Sequence, residues 1–262
     1  VRRSGATLAL VLCGLSLTAT VTACRRRPPP APEASLPFVF RSLNLRAQDP
    51  QGRPSWQLSS PEARYDLGRR IAQALRPQGV IFSKGQPLYR LSAESGTVIN
   101  DGEVILLEGA IRVEQLGAQP VLIRASRVRW LPRRHLMEID RHPEAFDGQN
   151  RLVARSARFL LERNLLELDG SPRLERWNRR VDPFAPIQRG PAEVVVLASR
   201  VNWEPRSGSL VAKGPLRATR RPEGAAPTRP LQTLIAASLE GNTIQQDYTL
   251  QGAIRFRDPI ES

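Results

Sequence analysis

Cysteine, histidine and aromatic side chains are scarce in this sequence. Its 262 residues contain 2 Cys, 2 His and only 5% aromatics. Both cysteines, Cys13 and Cys24, fall near the N-terminus, so no disulfide can staple a downstream domain and no cysteine there can ligate a metal. His135 and His142 stand seven apart at a predicted turn, a poor arrangement for a metal site. No metal and no cofactor are expected. There is no P-loop, no GxGxxG and no Ser-His-Asp order. Asn100-Asp101-Gly102 and Asp169-Gly170 read as turns between strands rather than as catalytic aspartates. The arginines are not interleaved with stacking aromatics, which argues against a single-strand nucleic-acid groove.

What is present is positive charge, proline and glycine. The formal net charge is +14, which suits an anionic partner such as phosphorylated lipid or a membrane face. A solvated arginine-rich surface accounts for the same number without any partner. Pro 23 and Gly 18 supply many turns and favour short strands.

The first residues read as a targeting segment. Arg2 and Arg3 precede an uncharged apolar stretch, Ala6 to Val21, and Val21-Thr22-Ala23-Cys24 follows. Positive residues, a short apolar run and small residues make a secretion signal. The expected division is a signal peptide over 1–23, a tether over 24–37 and a folded domain over 38–258. The alternative is a retained signal-anchor helix. The tether, Arg25-Arg26-Arg27-Pro28-Pro29-Pro30 onward, reads as a semi-rigid spacer with a basic start.

The domain repeats itself. "SPEARY" (60–65), "ASRVRW" (125–130), "ARSARF" (154–159) and "ASRVNW" (198–203) are near copies, joined by looser ones at Ala93 and Ala237. The period is roughly thirty residues, with insertions at Trp177–Pro191 and Arg220–Pro230. A second pattern runs with it. Gly109, Gly170, Gly214 and Gly252 each sit inside a strict alternation of apolar residues, and Arg141 holds the same place in a copy without glycine. Period-two spacing puts Leu107, Ile111, Leu166, Leu168, Leu210, Leu216, Leu250, Ile254 and Phe256 on one face of their strands. In "VLIRASRVRW" the apolar register flips at Ser126-Arg127, which requires a bulge or a corner. Each repeat therefore reads as strand, corner, strand, turn, strand with a glycine kink, turn. "SPEARYDLGRRIAQAL" could instead start a helix at Ser60; the repeat frame makes it strand, and that reading is preferred. Glu103, Glu108, Glu138 and Glu167 alternate with the inward set and point to solvent. The first strand is placed at Phe38 to Arg46 and the last at Tyr248 to Arg257.

These motifs resemble the LptC family and its LptA (OstA-type) relatives of lipopolysaccharide export. The residues that carry the resemblance are Trp56-Gln57-Leu58 into Ser60 and Ala63, then Leu107-Glu108-Gly109-Ala110-Ile111-Arg112-Val113, with the opening strand in 38–58. The resemblance implies an all-β, curved, half-open antiparallel jellyroll, a trough whose apolar interior shelters acyl chains. It implies a lipopolysaccharide-like ligand, partners in an ABC transporter's jellyroll subunits and in an LptA-like periplasmic protein, and no enzymatic activity. Pairing of edge strands would join it to those partners. Trp130, Phe159 and Trp203 stand at one repeat position and read as core packing or as a lining for acyl chains. The first residues resemble a bacterial lipoprotein signal, which would make Cys24 the lipidated N-terminus, anchored in the inner membrane from the periplasmic side. A secreted β-solenoid enzyme acting on polysaccharide is the competing reading and would need carboxylates gathered on one face. A fully closed β-barrel lipid carrier is a third.

Overall fold

The computed structural model describes residues 38–184, 190–221 and 231–258; the targeting segment, the tether and Cys24 lie outside them. No α-helix occurs among the described residues. The chain weaves between two layers, A and B. It starts in A with β1 (Phe38–Phe40) and crosses to B for β2 (Leu43–Gln48) and β3 (Pro54–Ser60). It returns to A for β4 (Glu62–Asp66) and β5 (Ile71–Leu75), then goes to B for β6 (Gln78–Ser83) and β7 (Gln86–Ser92). After β8 (Ser95–Ile99) in A, β9 (Val104–Gln115) runs from A into B and β10 (Val121–Leu131) from B into A. Then come β11 (Leu136–Asp140) in A, β12 (Glu144–Phe146) and β13 (Asn150–Val153) in B, and β14 (Ser156–Leu160) and β15 (Leu165–Asp169) in A. The last repeats are β16 (Arg173–Arg176) and β17 (Val194–Leu197) in B and β18 (Arg200–Trp203) in A. β19 (Ser209–Arg220) runs into B, β20 (Gln232–Asn242) runs back, β21 (Asp247–Gln251) lies in A and β22 (Arg255–Arg257) in B.

Every pairing among the described residues is antiparallel. Layer A is continuous from β1 through β4, β5, β8, β9, β10, β11, β14, β15, β18, β19 and β20 to β21. Layer B is continuous from β2 through β3, β6, β7, β9, β10, β12, β13, β16, β17, β19 and β20 to β22. The 60–76 segment is the β4–β5 hairpin, so the strand reading holds there. The expected first strand is divided at Arg41-Ser42 between the layers, and the expected last one at Gly252-Ala253.

The corners and kinks are where the chain changes layer. In β10 the pairing with β9 slips between Ala125 and Arg127, leaving Ser126 at the bulge. That slip keeps Val121 and Ile123 inward before the corner, and Val128 and Trp130 inward after it. The returning strand bends at a left-handed residue: Gly109, Gly170, Gly214 and Gly252 have φ of 72, 80, 93 and 88°, and Arg141 occupies the same conformation at 61°. Kink and corner press together. A Cβ on Gly170 would lie 2.6 Å from the Arg155 Cβ, and one on Gly214 2.4 Å from the Ser199 Cβ. The last anchor is shifted by one residue from its expected place. Ala236, opposite Leu216, is the buried counterpart of Ala125, which pairs with Ile111 in the same way; Ala237 is the exposed corner residue.

This geometry sets opposite outcomes at two equivalent kinks. Gly170→Ala is expected to cost at least about 1–2 kcal/mol, because an L side chain is strained there and has no room. Arg141→Gly removes that strain and is expected to leave stability unchanged or raised. Denaturant midpoints of the two variants check both.

Candidate functional site: the space between the layers

The inner faces of the two layers meet in one apolar core. Leu107, Ile111, Trp130, Phe159, Leu166, Leu168, Trp203, Leu210 and Leu216 are all 1% exposed or less and belong to it together. Aromatic pairs join the layers. Trp56 of layer B meets Trp130 of layer A edge-on at 5.5 Å between ring centroids, and Tyr89 of B meets Phe159 of A at 5.3 Å. The layer-B halves of these pairs extend the site beyond the expected residues. Trp56-x-Leu58-x-Ser60 and Tyr89-x-Leu91-x-Ala93 carry the signal, an alternation that leads into a corner.

Three expected lining residues depart from this pattern. Leu250 is half-buried, while Ile254 and Phe256 are 53% and 60% exposed. Phe256 pairs with Leu234, which packs on the core, so it lies on the inward face. It is exposed because layer B has no described strand beyond β22. Ile254 lies outside both β21 and β22, just past the Gly252 kink, and does not line the core. The other end mirrors this. Phe38 and Phe40 on β1 are 54% and 45% exposed, although their partners Tyr65 and Ala63 pack inward. The apolar inner face thus runs the length of the sheets and emerges at both ends.

Along the lips, opposite the corners, the described residues join the layers by side chains and not by a backbone ladder. Asn164, at the left-handed turn between β14 and β15, donates from Nδ2 to Gln115 Oε1 at 2.8 Å and to the Tyr89 hydroxyl of layer B. Its Oδ1 accepts from the Arg206 backbone N–H at 2.7 Å. Burial raises the Tyr89 phenol above its usual range. A second clasp lies further along. Gln246 Nε2, in the β20–β21 turn, donates to Gln149 Oε1 at 3.0 Å, and Arg176 donates to Gln246 Oε1 at 2.7 Å. Nearer the N-terminal end the lips stand apart over clefts of about 390 and 490 Å³, bordered by Asp49, Pro50 and Ser55 of layer B and by His135 of layer A. Among the described residues the mouth is therefore clasped at two places and cleft at one end.

Glu103, Glu108, Glu138 and Glu167 lie outside, whereas Asp147 is buried and accepts from the Gln149 and Asn150 backbone N–H groups. Glu108 pairs with Arg127 at 2.8 Å, Glu138 with Arg129 at 3.2 Å and Glu167 with Arg158 at 3.5 Å, as ladders across the outer face of layer A. No gathering of free carboxylates of the kind a polysaccharide hydrolase requires is formed by these residues. Asp101 in the Asn100–Gly102 turn accepts from Arg70 and Tyr65, and these bonds hold its carboxyl below the usual range. His135 and His142 stand at opposite ends of β11, the one at a hairpin tip and the other at a kink, instead of sharing a turn. The terminal strands β1 and β2 do not pair with β21 and β22, so the described sheets do not close into a barrel.

A profile of the family described as "Lipopolysaccharide-assembly, LptC-related" matches residues 6–171, well over half the chain. The chain belongs to the LptC family. Membership places it in lipopolysaccharide transport, with the machinery that carries that transport out. No curated protein matches the chain. The family match ends at the kink after β15, whereas both layers of this LptC-family chain continue with the same kinks and corners through β16–β22. No helix among the described residues is long and apolar enough to cross a membrane.

Proposed function

We propose that the chain is a membrane-anchored periplasmic bridge. It shelters lipopolysaccharide acyl chains between its layers, receives them at the β1/β2 end from the jellyroll of an ABC transporter, and passes them at the β21/β22 end to an LptA-like domain. The observation that supports this most is the unbroken apolar inner face that surfaces at both ends as Phe38, Phe40 and Phe256. Loading requires the lips to part. Each clasp hydrogen bond contributes about 0.5–1.5 kcal/mol net, and each methylene leaving water gains about 0.8 kcal/mol. A few carbons of an acyl chain therefore offset a clasp. The larger cost is separating the cross-layer contacts of Trp56–Trp130 and Tyr89–Phe159, which acyl contacts replace. The test is purification from a mild detergent: lipopolysaccharide and transporter subunits should leave the column with the chain, and a chain free of both would refute the reading.

The anchor is proposed at Cys24, with residues 25–37 as the tether. Cys24→Ser should accumulate as an unprocessed precursor. Normal processing and membrane partitioning of that variant would show that no acyl chain is attached there.

A further inference from the structure

Strand register sorts the outward side chains into rows, and the rows of the two layers differ in charge. In layer B, the row beside the corners contains Arg112, Arg124, Arg173, Arg217 and Arg255, with Glu144 as its acid. The next row contains Arg46, Arg90, Arg151 and Arg257, with Glu114 and Glu175. In layer A, the row beside the corners pairs Arg127, Arg200 and Lys213 with Glu62, Glu108, Asp140 and Asp169. The second row there sets Arg64, Arg129 and Arg158 against Glu138, Glu167 and Glu240. Layer A is thus close to neutral in these rows. Layer B has three arginines for each glutamate: Glu144 and Glu175 both pair with Arg151, at 2.9 and 3.0 Å, Glu175 also pairs with Arg173 at 2.8 Å, and Glu114 lies between Arg90 and Arg112, at 3.8 and 3.5 Å.

We propose that the outer face of layer B is a docking surface for an anionic phospholipid bilayer. The surplus extends as a strip along the sheet. With strands about 4.8 Å apart, its arginines can meet many headgroups of a planar surface; Arg124, Arg151 and Arg173 also border a cavity of about 600 Å³ on this face. Val80, Val195 and Leu197 stand among them, the second row's Leu122 and Phe146 are buried, and half-buried Trp177 is the one aromatic beside Arg124, Arg151 and Arg173 among the described residues of that cavity. The tether limits the distance available. Fourteen residues from Cys24 to Pro37, extended at about 3.1 Å each, reach about 40 Å, which keeps the domain beside the membrane that holds its N-terminus. Screening over about 8 Å at physiological salt makes this a contact effect: the strip acts only when the domain lies down on its layer-B side. The domain would then rest alongside the membrane that anchors it. This inference rests on the proposed anchoring but not on the lipid-conduit reading.

The experiment places a genetically encoded fluorophore at Arg173 in layer B or at Arg158 in layer A of the full chain. The chain is reconstituted in vesicles of phosphatidylcholine with or without phosphatidylglycerol, with an acceptor on the headgroups. With phosphatidylglycerol present, energy transfer from position 173 should exceed that from position 158 several-fold. It should fall to the same level without phosphatidylglycerol, at about 0.5 M salt, or in the Arg124→Glu/Arg217→Glu variant. Equal transfer from both positions, or indifference to phosphatidylglycerol, overturns the proposal. So does salt-sensitive binding of inorganic polyphosphate or of an acidic protein by a chain whose layer-B face does not approach the vesicles. Lipid capture inside the trough is read separately, so failure here leaves that reading standing.

Discussion

Joining positions 115 and 164 with a short, reducible thiol cross-linker is expected to stop lipid capture almost completely. Gln115 and Asn164 face each other across the lips at 2.8 Å between side-chain atoms, one on each layer. The core beneath them is filled by Tyr89 and Phe159. Beyond the N-terminal clefts an acyl chain can advance between the layers only if the lips separate at the clasp, and a covalent link there forbids it. The Gln115→Cys/Asn164→Cys chain without cross-linker should capture lipid at least as well as the parent. Losing the clasp removes buried hydrogen bonds worth roughly 1–3 kcal/mol of closure. Adding reductant to the linked chain should restore capture. If the linked chain loads lipid at the parental rate, entry does not go through the lips and the clasps are purely structural.

Placing a lysine at each of Leu250 and Phe256 is expected to abolish docking of the downstream LptA-like domain while leaving the fold intact. Phe256 is 60% exposed and Leu250 half-buried in the free chain, so the substitutions should cost little stability, with the Phe256 change near ±0.5 kcal/mol. In a docked pair both side chains become part of a continuous apolar floor. Two ammonium groups there would be buried without partners, which is strongly unfavourable, and charged residues on an edge strand block further pairing. Proline at Ile254 is a poor substitute, because Ile254 lies outside both terminal strands. Binding of the transporter at the β1/β2 end should be unchanged. A folded Leu250→Lys/Phe256→Lys chain that binds the downstream domain with parental affinity would show that this end is not the junction.

Much of the architecture was legible because period-two alternation is written into the side chains. Leu107, Leu166, Leu168 and Leu210 needed only their spacing to be placed inward, and the register flip at Ser126 announced the corner. Arg141 followed its glycine counterparts into the left-handed region, so the repeat frame outweighed residue type there. Three features escaped. The exposure of the end residues was not legible because alternation tells which face a residue is on but not whether a strand lies beyond it; Phe256 is inward and yet exposed. The clasps escaped because Asn164, Gln246 and Gln149 look like ordinary turn residues until the two layers bring them together. The charge asymmetry escaped because Arg112, Arg124 and Arg173 become neighbours only through strand register, although the net charge of +14 showed that a surplus had to lie somewhere.

Two adjacent positions on β15 test the central claim most directly. Leu168 is fully buried between the layers, and Glu167 lies on the outer face beside Arg158. Photo-reactive side chains placed singly at these positions in the full chain, with folding verified by circular dichroism, should give opposite results under irradiation in cells. Position 168 should cross-link to lipopolysaccharide, and position 167 should not. Capture at both positions equally, or at 167 alone, would contradict a lipid path between the layers.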